Sequence, residues 1–272
     1  MTKARRMIAE NIKLVDAVCE VIDARIPFSS RNPDLGSYAG GKPQLIILNR
    51  ADQADPIATK KWRTWFLSNS EAVIETDCKS GAGVGSFAHA VRGLLKDKLA
   101  HYASRGQIGR NLRIMIVGIP NVGKSSLINR VAKRKVALAS DKPGVTRGKQ
   151  WISIDSGLEL LDTPGILWPR FDNQTVAENL AFTGAIRDDV IDIESLGANL
   201  MMRMKEFYPD RITERYRINA EADATAFDLL AQAAKNRGYL ISGGEFDLSR
   251  MAAVLLDEFR GGKLGRISLE QI

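Results

Sequence analysis

The sequence is poor in the residues that build extracellular scaffolds and metal centres. It has two cysteines, Cys19 and Cys78, and two histidines, His89 and His101, among 272 residues. Isolated thiols without metal-ligand or redox spacing exclude a disulfide framework and point to a reducing, cytoplasmic setting. No apolar run approaches the ~18 residues that a membrane-spanning helix needs. The N-terminus is a charged helical segment without the apolar core of a secretory leader. Internal repeats and low-complexity tracts are also missing. What remains is an ordinary globular composition, 44% hydrophobic and 26% charged. The length suits one α/β domain and a smaller second one.

Acidic side chains are scarce in one half only. Residues 1–169 hold 26 Lys and Arg against 15 Asp and Glu, and residues 170–272 hold 13 against 17. The front half is therefore at +11 and the back half at −4, within a total of +7. A basic front half suits a polyanionic partner larger than one nucleotide, nucleic acid above all. A surface that merely keeps the protein soluble is the plainer alternative.

The apolar pattern divides the chain in the same place. Lys3 to Leu14 reads as a short helix. Ala17–Ile22, Gln44–Asn49, Ala72–Glu75 and Leu112–Val117 are β-branched or aliphatic runs of strand length, and Trp151–Ile154 with Leu158–Leu161 reads as a hairpin. A helix carrying Trp62, Trp65 and Phe66 follows the second strand, one long amphipathic helix is expected over Val84–Tyr102, and Ser104–Arg110 reads as a linker. Alternating strands and helices predict a mostly parallel sheet with helices on both faces. Beyond Pro169 no strand pattern survives. Helices near Gln174–Thr183, Ile193–Lys205, Ala222–Arg237 and Asp247–Phe259 predict an all-helical C-terminal domain. The expected domains are residues 1–169 and 170–272.

Gly118-Ile119-Pro120-Asn121-Val122-Gly123-Lys124-Ser125 fits GxxxxGK[ST] between a strand and a helix, the context this phosphate loop requires. The N–H groups from Asn121 through Val122, Gly123 and Lys124 to Ser125 and Ser126 are expected to cradle phosphates at a helix N-terminus. Lys124 reaches the β- and γ-phosphates, and the Ser125 hydroxyl ligates Mg²⁺. Asp162-Thr163-Pro164-Gly165 ends a later strand. Asp162 there holds Mg²⁺ directly or through water, and the Gly165 N–H senses the γ-phosphate. Between them, within Pro143-Gly144-Val145-Thr146-Arg147, Thr146 is the candidate switch threonine that closes on Mg²⁺.

Guanine specificity commonly uses Asn-Lys-x-Asp at a strand end. Its aspartate accepts from the guanine N1–H and N2 amino group, a donor pair that adenine lacks. Here Asn49-Arg50-Ala51-Asp52 follows the second strand, with arginine in the lysine position. A planar guanidinium can lie along the base as the lysine stem does. Asp77-Cys78-Lys79-Ser80-Gly81 follows the next strand, and Cys78, Lys79 and Ser80 are expected to back the guanine O6. In the usual motif order the phosphate loop comes first. Here the base motif precedes it, so the nucleotide domain is circularly permuted, and the second switch leads straight into the C-terminal helices.

With Asp23-Ala24-Arg25-Ile26-Pro27 and Ser30-Arg31-Asn32-Pro33 added to these motifs, nearly the whole chain resembles the circularly permuted YlqF/RbgA-type GTPases. The resemblance implies a GTP-hydrolysing protein acting in assembly of the large ribosomal subunit, with rRNA and ribosomal proteins as partners and no membrane. That family usually begins with Pro-Gly-His-Met-Ala-Lys-Ala, of which Met1-Thr2-Lys3-Ala4 matches only the end. The family histidine implicated in hydrolysis would precede Met1, which implies a truncated chain or a misassigned start. His89 and His101 read as helix-surface residues.

Ile166 and Leu167 follow Gly165, where many GTPases carry a glutamine that orients the attacking water. Neither side chain can hydrogen-bond water, so slow turnover of the isolated protein and stimulation by the subunit are expected. Lys124, Thr146 and Asn121 are the candidate catalytic set. In related potassium-dependent GTPases an asparagine at the position of Asn121 coordinates K⁺ beside the phosphates. Lys133-Arg134-Lys135 with Lys142, Arg147 and Lys149 flank the first switch as candidate RNA contacts. In the acidic half any such contact is expected from Arg211, Arg215 and Arg217. The competing readings are a signalling or transport GTPase with protein partners, and a nucleotide-gated RNA-binding module with negligible turnover.

Overall fold

Short runs of Val, Ile and Leu, buried on both sides, make the centre of the molecule. The fold was taken from a computed structural model that describes residues 3–69, 72–107, 109–132, 151–154, 157–163, 165, 173–219 and 223–272. Strands β1 (Ala17–Asp23), β2 (Gln44–Asn49), β3 (Ala72–Thr76), β4 (Leu112–Val117), β5 (Trp151–Ile154) and β6 (Leu158–Asp162) form one sheet of order β3-β2-β1-β4-β6-β5. Neighbours are parallel except β5 and β6, the expected hairpin. All of β1 is buried, as a central parallel strand covered on both faces must be. Register pairs Asp23 with Asn49 and Glu20 with Val117. The C-terminal strand ends, where such sheets bind ligands, therefore bring Asp23, Asn49 and the start of the phosphate loop to one rim.

Helices cover both faces. On one side α1 (Lys3–Ile12) and α2 (Leu35–Ala39) bury Ile8, Ile12 and Leu35 with Val18 and Met115, while α3 (Pro56–Ser68) buries Trp62 and Phe66 with Ile22 and Ile46. On the other, Val91 of α4 (Phe87–Leu94) and Leu127 of α6 (Lys124–Val131) join Cys19, Leu45 and Ile114. The single helix expected over 84–102 is broken. A 3-10 turn at Val84–Ser86 precedes α4, and Leu95, at φ −104° and ψ 19°, separates α4 from α5 (Lys96–Ser104). The physical reason is burial: Phe87, Val91 and Leu95 press on the sheet, whereas α5 has no fully buried residue and only Leu99 and Tyr102 pack partly against the core.

The C-terminal helices are α7 (Gln174–Phe182), α8 (Ile193–Phe207), α9 (Pro209–Tyr216), α10 (Ala226–Arg237) and α11 (Leu248–Arg260). Helices α8 and α11 cross so closely that a Cβ on Gly197 would lie 2.4 Å from the Ala252 Cβ. Helix α9 escapes the periodic pattern because only Ile212 and Tyr216 of its eight residues are buried. Helix α10 starts at Ala226, later than expected, where Thr225 and Asp228 form a reciprocal capping box. Among the described residues past 173 the sole β pairing is one isolated bridge, Leu240 with Phe246. The expected 169/170 boundary falls outside the described residues.

The two halves share one continuous buried cluster that joins Ile26 and Ile119 to Phe182, Phe259, Ile267 and Leu269. At its edge lies Arg25, 1% exposed. Its Nε and a terminal nitrogen donate to the two Asp23 carboxylate oxygens at 3.0 and 2.8 Å, and its other terminal nitrogen donates to the Phe259 carbonyl at 3.0 Å. The guanidinium also stacks on the Phe259 ring at 4.9 Å. Burial alone would raise the Asp23 pKa, but Arg25 and Arg50 hold it below the ordinary carboxylate value.

Arg25→Ala would leave a buried carboxylate stripped of its main partner, and should cost about 3–5 kcal/mol at neutral pH, read by denaturant unfolding. The folded Asp23 pKa is depressed, so this stability is present above the unfolded carboxylate pKa and is lost as pH falls through the lower folded value. The gap between wild type and variant should therefore close on acidification.

Candidate nucleotide site

The phosphate loop is shaped by close approaches. A Cβ on Gly118 would lie 2.4 Å from the Val21 carbonyl oxygen, so the chain leaves β4 hard against β1. Gly123, at φ 104°, caps α6, and a Cβ there would lie 2.3 Å from the Asn49 amide nitrogen. The first backbone hydrogen bond of α6 runs from the Leu127 N–H to the Gly123 carbonyl. The N–H groups of Lys124, Ser125 and Ser126 thus head the helix as anion donors.

Lys124 is 7% exposed, and its ammonium donates to the carbonyls of Gly118 and Ile119 at 3.1 and 2.9 Å. Burial pushes its pKa down to about 8, with Asp162 opposing. Asp162, the last residue of β6, has its own pKa raised by burial, with Lys124 and the Thr163 N–H opposing. Gly165 lies on the same loop: a Cβ there would come 2.8 Å from the Pro120 Cα and 3.0 Å from the Lys124 Nζ. Only glycine lets this backbone rest so close to the lysine.

The base motif is fastened to the phosphate loop by Asn49. Its amide nitrogen donates to the Val122 carbonyl at 2.7 Å, and its amide oxygen accepts from the Thr76 hydroxyl at 3.2 Å and the Cys78 N–H at 3.1 Å. Arg50 donates to the Asn121 carbonyl at 2.7 Å and approaches Asp23 at 3.7 Å. Burial lowers its pKa and Asp23 opposes the shift. The arginine in the lysine position therefore grips the phosphate loop. Arg50 and Asn121 are both left-handed, at φ 59° and 58°, a costly conformation for residues with side chains. Asn121 in turn donates to the Gly184 carbonyl at 2.8 Å.

Asp52 is exposed beside this network. In the next loop, the Asp77 carboxylate accepts from the N–H groups of Lys79 and Ser80 at 2.7 and 3.1 Å. Arg130 of α6 donates to the Lys79 carbonyl. Cys78 is 5% exposed, and burial pushes its thiol up to about 11, so its contribution is the backbone N–H held by Asn49. A cavity of about 730 Å³ adjoins the site, lined by Arg50, Asn121, Gly184, Arg187, Asp189 and Arg260 among others.

The structure thus brings together Asn49, Arg50, Cys78, Asn121, Val122, Gly123, Lys124, Asp162 and Gly165, with Ser125 and Ser126 in the first turn of α6. Thr146, the basic residues from Lys133 to Lys149, Ile166 and Leu167 lie outside the described residues. His89 and His101 are exposed on α4 and α5. Arg215 is engaged with Glu258 at 3.0 Å, and its pKa is raised by that partner, so its charge is partly spent within the C-terminal helices. Sequence reasoning missed two parts. Asp23 and Arg25 stood out as a motif with no chemical role attached, and Arg130 carries no local signal at all.

Residues 113–208 match the family model described as 50S ribosome-binding GTPase. The chain is 43% identical over 270 residues to Ribosome biogenesis GTPase A of Bacillus cereus, covering 99% of this chain and 91% of that one. It is 30% identical over 269 residues to the Thermotoga maritima protein of the same name, covering 99% and 91%. Among solved structures, a GDP-bound YlqF superposes with a TM-score of 0.71 at 28% identity, covering 98% and 99%. GNP-bound YlqF from T. maritima gives 0.66 at 29%, covering 99% and 98%.

Two outcomes are expected. Asn49→Ala leaves the Val122 carbonyl and the Cys78 N–H unpaired at a buried site, and should cost about 2–3 kcal/mol in denaturant unfolding, with a matching loss of GDP affinity. Lys124 should take up a proton when a phosphate arrives, because its pKa in the free protein is about 8 and an adjacent anion raises it. GDP affinity should then be flat below pH 8 and fall above it. Calorimetry in buffers of different ionisation enthalpy should show proton uptake between about pH 8 and 9.

Proposed function

The chain belongs to the ribosome biogenesis GTPase A family, and on that premise we propose that it binds GTP at the sheet rim and lets the bound nucleotide set its grip on the large ribosomal subunit or its precursor. It is a GTP-hydrolysing enzyme of ribosome assembly. The observation that carries the site assignment is Asn49, which holds the base motif, the Cys78 loop and the phosphate loop in one hydrogen-bonded unit. In this reading Asp52 accepts from guanine, Lys79 and Ser80 close over its O6 side, and the N–H groups from Asn121 to Ser126 wrap the phosphates. Lys124 turns its ammonium from loop carbonyls to phosphate oxygens.

Among the described residues no group of three or more His, Cys, Asp or Glu side chains could hold a metal by itself. A hydroxyl and one carboxylate, Ser125 and Asp162, suit magnesium, which keeps waters and takes other oxygens from phosphate. Thr146 completes that set in the GTP state. Magnesium, when bound, neutralises charge on the phosphate oxygens. Asn121 is the potassium ligand in this reading, through its amide oxygen. Residues 1–169 act as the nucleotide domain and 170–272 as the helical domain that responds to it. Among the described residues no helix is long and apolar enough to cross a membrane, and the work is assigned to the cytoplasm.

The coupling follows from connectivity. Gly165 lies against Lys124, and α7 is the next described helix along the chain. Asn121 also reaches Gly184, just past α7. A γ-phosphate that displaces Gly165 acts on the chain that leads to the helical domain, while the Asn121 bond to Gly184 ties that domain to the same loop.

The test is co-sedimentation with purified large subunits across a salt series. A non-hydrolysable GTP analogue should pellet more protein than GDP does, and binding should weaken as salt rises. Equal pelleting of both forms at every salt concentration would refute the coupling. The same preparation should prefer GTP to ATP, and Asp52→Asn should shift preference toward xanthosine triphosphate, whose N2 position is a carbonyl.

A further inference from the structure

Residues after Arg260 form no helix or strand, yet Leu264, Ile267 and Leu269 are buried, and the segment crosses the back of the base-motif loop. Arg266 donates through Nε to the Ala54 carbonyl at 2.8 Å and through a terminal nitrogen to the Ala51 carbonyl at 3.0 Å. The Ile267 N–H donates to the Gln53 carbonyl at 2.8 Å, and the Asp55 N–H donates to the Ser268 hydroxyl at 3.1 Å. Four hydrogen bonds thus hold residues 51–55 from a segment more than two hundred residues away.

The segment is itself clamped. The Leu269 N–H donates to the Arg25 carbonyl at 2.8 Å, and Trp62 donates to the Glu270 carbonyl at 3.1 Å. The Glu270 carboxylate accepts from the Phe28 N–H at 2.6 Å, from the Ser29 N–H at 3.0 Å and from the Asn179 amide at 3.1 Å, and also from the Ser29 hydroxyl. Asp52 lies between Ala51 and Gln53, both fixed from behind. On its own side the stretch around Asp52 has the Ala51 N–H to Thr76 and the Gln53 N–H to Arg50 backbone bonds, at 3.1 and 2.9 Å.

We infer that Arg266 is a positioning residue for Asp52, so that discrimination of guanine depends on the C-terminal segment. The inference rests on the reading of Asp52 as the guanine acceptor. Two hydrogen bonds to one base require the carboxylate to be held to a fraction of an ångström. A planar fork that spans the two carbonyls flanking Gln53 and Asp52 supplies that stiffness, which a lysine point charge does not. Without it the loop can move and the loss falls on base contacts, while the phosphate contacts stay where α6 holds them.

The experiment measures GDP, IDP and ADP affinities of the full chain by calorimetry, for wild type, Arg266→Ala and Arg266→Lys. IDP keeps the N1–H and lacks the N2 amino group. Wild type should prefer GDP. Arg266→Ala should lose about tenfold in GDP affinity, the equivalent of one to two hydrogen bonds, and less for IDP, so the GDP/IDP ratio falls. Arg266→Lys should give an intermediate ratio and covers the case in which the alanine variant does not fold. In an Asp52→Ala background Arg266→Ala should cost no further GDP affinity. A GDP/IDP ratio unchanged from wild type in the Arg266 variants overturns the positioning role. A wild type indifferent among GDP, IDP and ADP overturns the reading of Asp52 and this inference with it.

Discussion

The side-chain amide of Asn49 is the constraint on which the nucleotide rim depends. In a permuted domain the base motif and the phosphate loop belong to opposite parts of the nucleotide domain itself, before and after a linker that follows α5. Neither part contains a complete site. Asn49 uses both ends of its amide to close that gap, one on Val122 and the other on Thr76 and Cys78. The glycine at 123 is the counterpart of this contact, since any side chain there would strike the amide. Arg50 on Asn121 and Arg130 on Lys79 repeat the junction at two more places. The arginine that departs from the common motif thereby keeps its hold on the loop, with two left-handed residues facing each other across the bond.

Much of the fold was legible because parallel strands bury both faces and read as unbroken apolar runs. The strands from Ala17, Gln44, Ala72 and Leu112, and the hairpin around Gly157, needed no tertiary information. The phosphate loop was legible for a different reason: its chemistry demands fixed glycines, a lysine and a hydroxyl at one spacing. What was not legible depends on partners distant in sequence. The break at Leu95 follows from which residues the sheet covers. Helix α9 has too few buried positions to mark a period. Arg25 sits in a recognisable motif but has no role until Phe259 and Asp23 are placed around it, and the carbonyls that Arg266 contacts have no sequence signature.

The C-terminal helices are more than an appendage. One buried cluster continues into them from the sheet, and Arg25, Asn121 and the segment after Arg260 each bond across the boundary. The acidic surplus of this half is partly internal, with Glu258 and Glu270 committed to protein donors. A charge total therefore overstates how acidic this surface is.

The strand order has a further consequence for how the molecule is made. Strands β1, β2 and β3 are contiguous at one side of the sheet, and β4, β5 and β6 at the other. During synthesis the first block can assemble as soon as it emerges, but its inner edge, β1, waits for β4. About ninety residues separate those two strands, and at roughly 5–20 residues per second the edge stays open for about 5–18 seconds. An open apolar strand is an invitation to wrong pairing. The nascent chain must pass through a stage in which its most buried strand is its most exposed one.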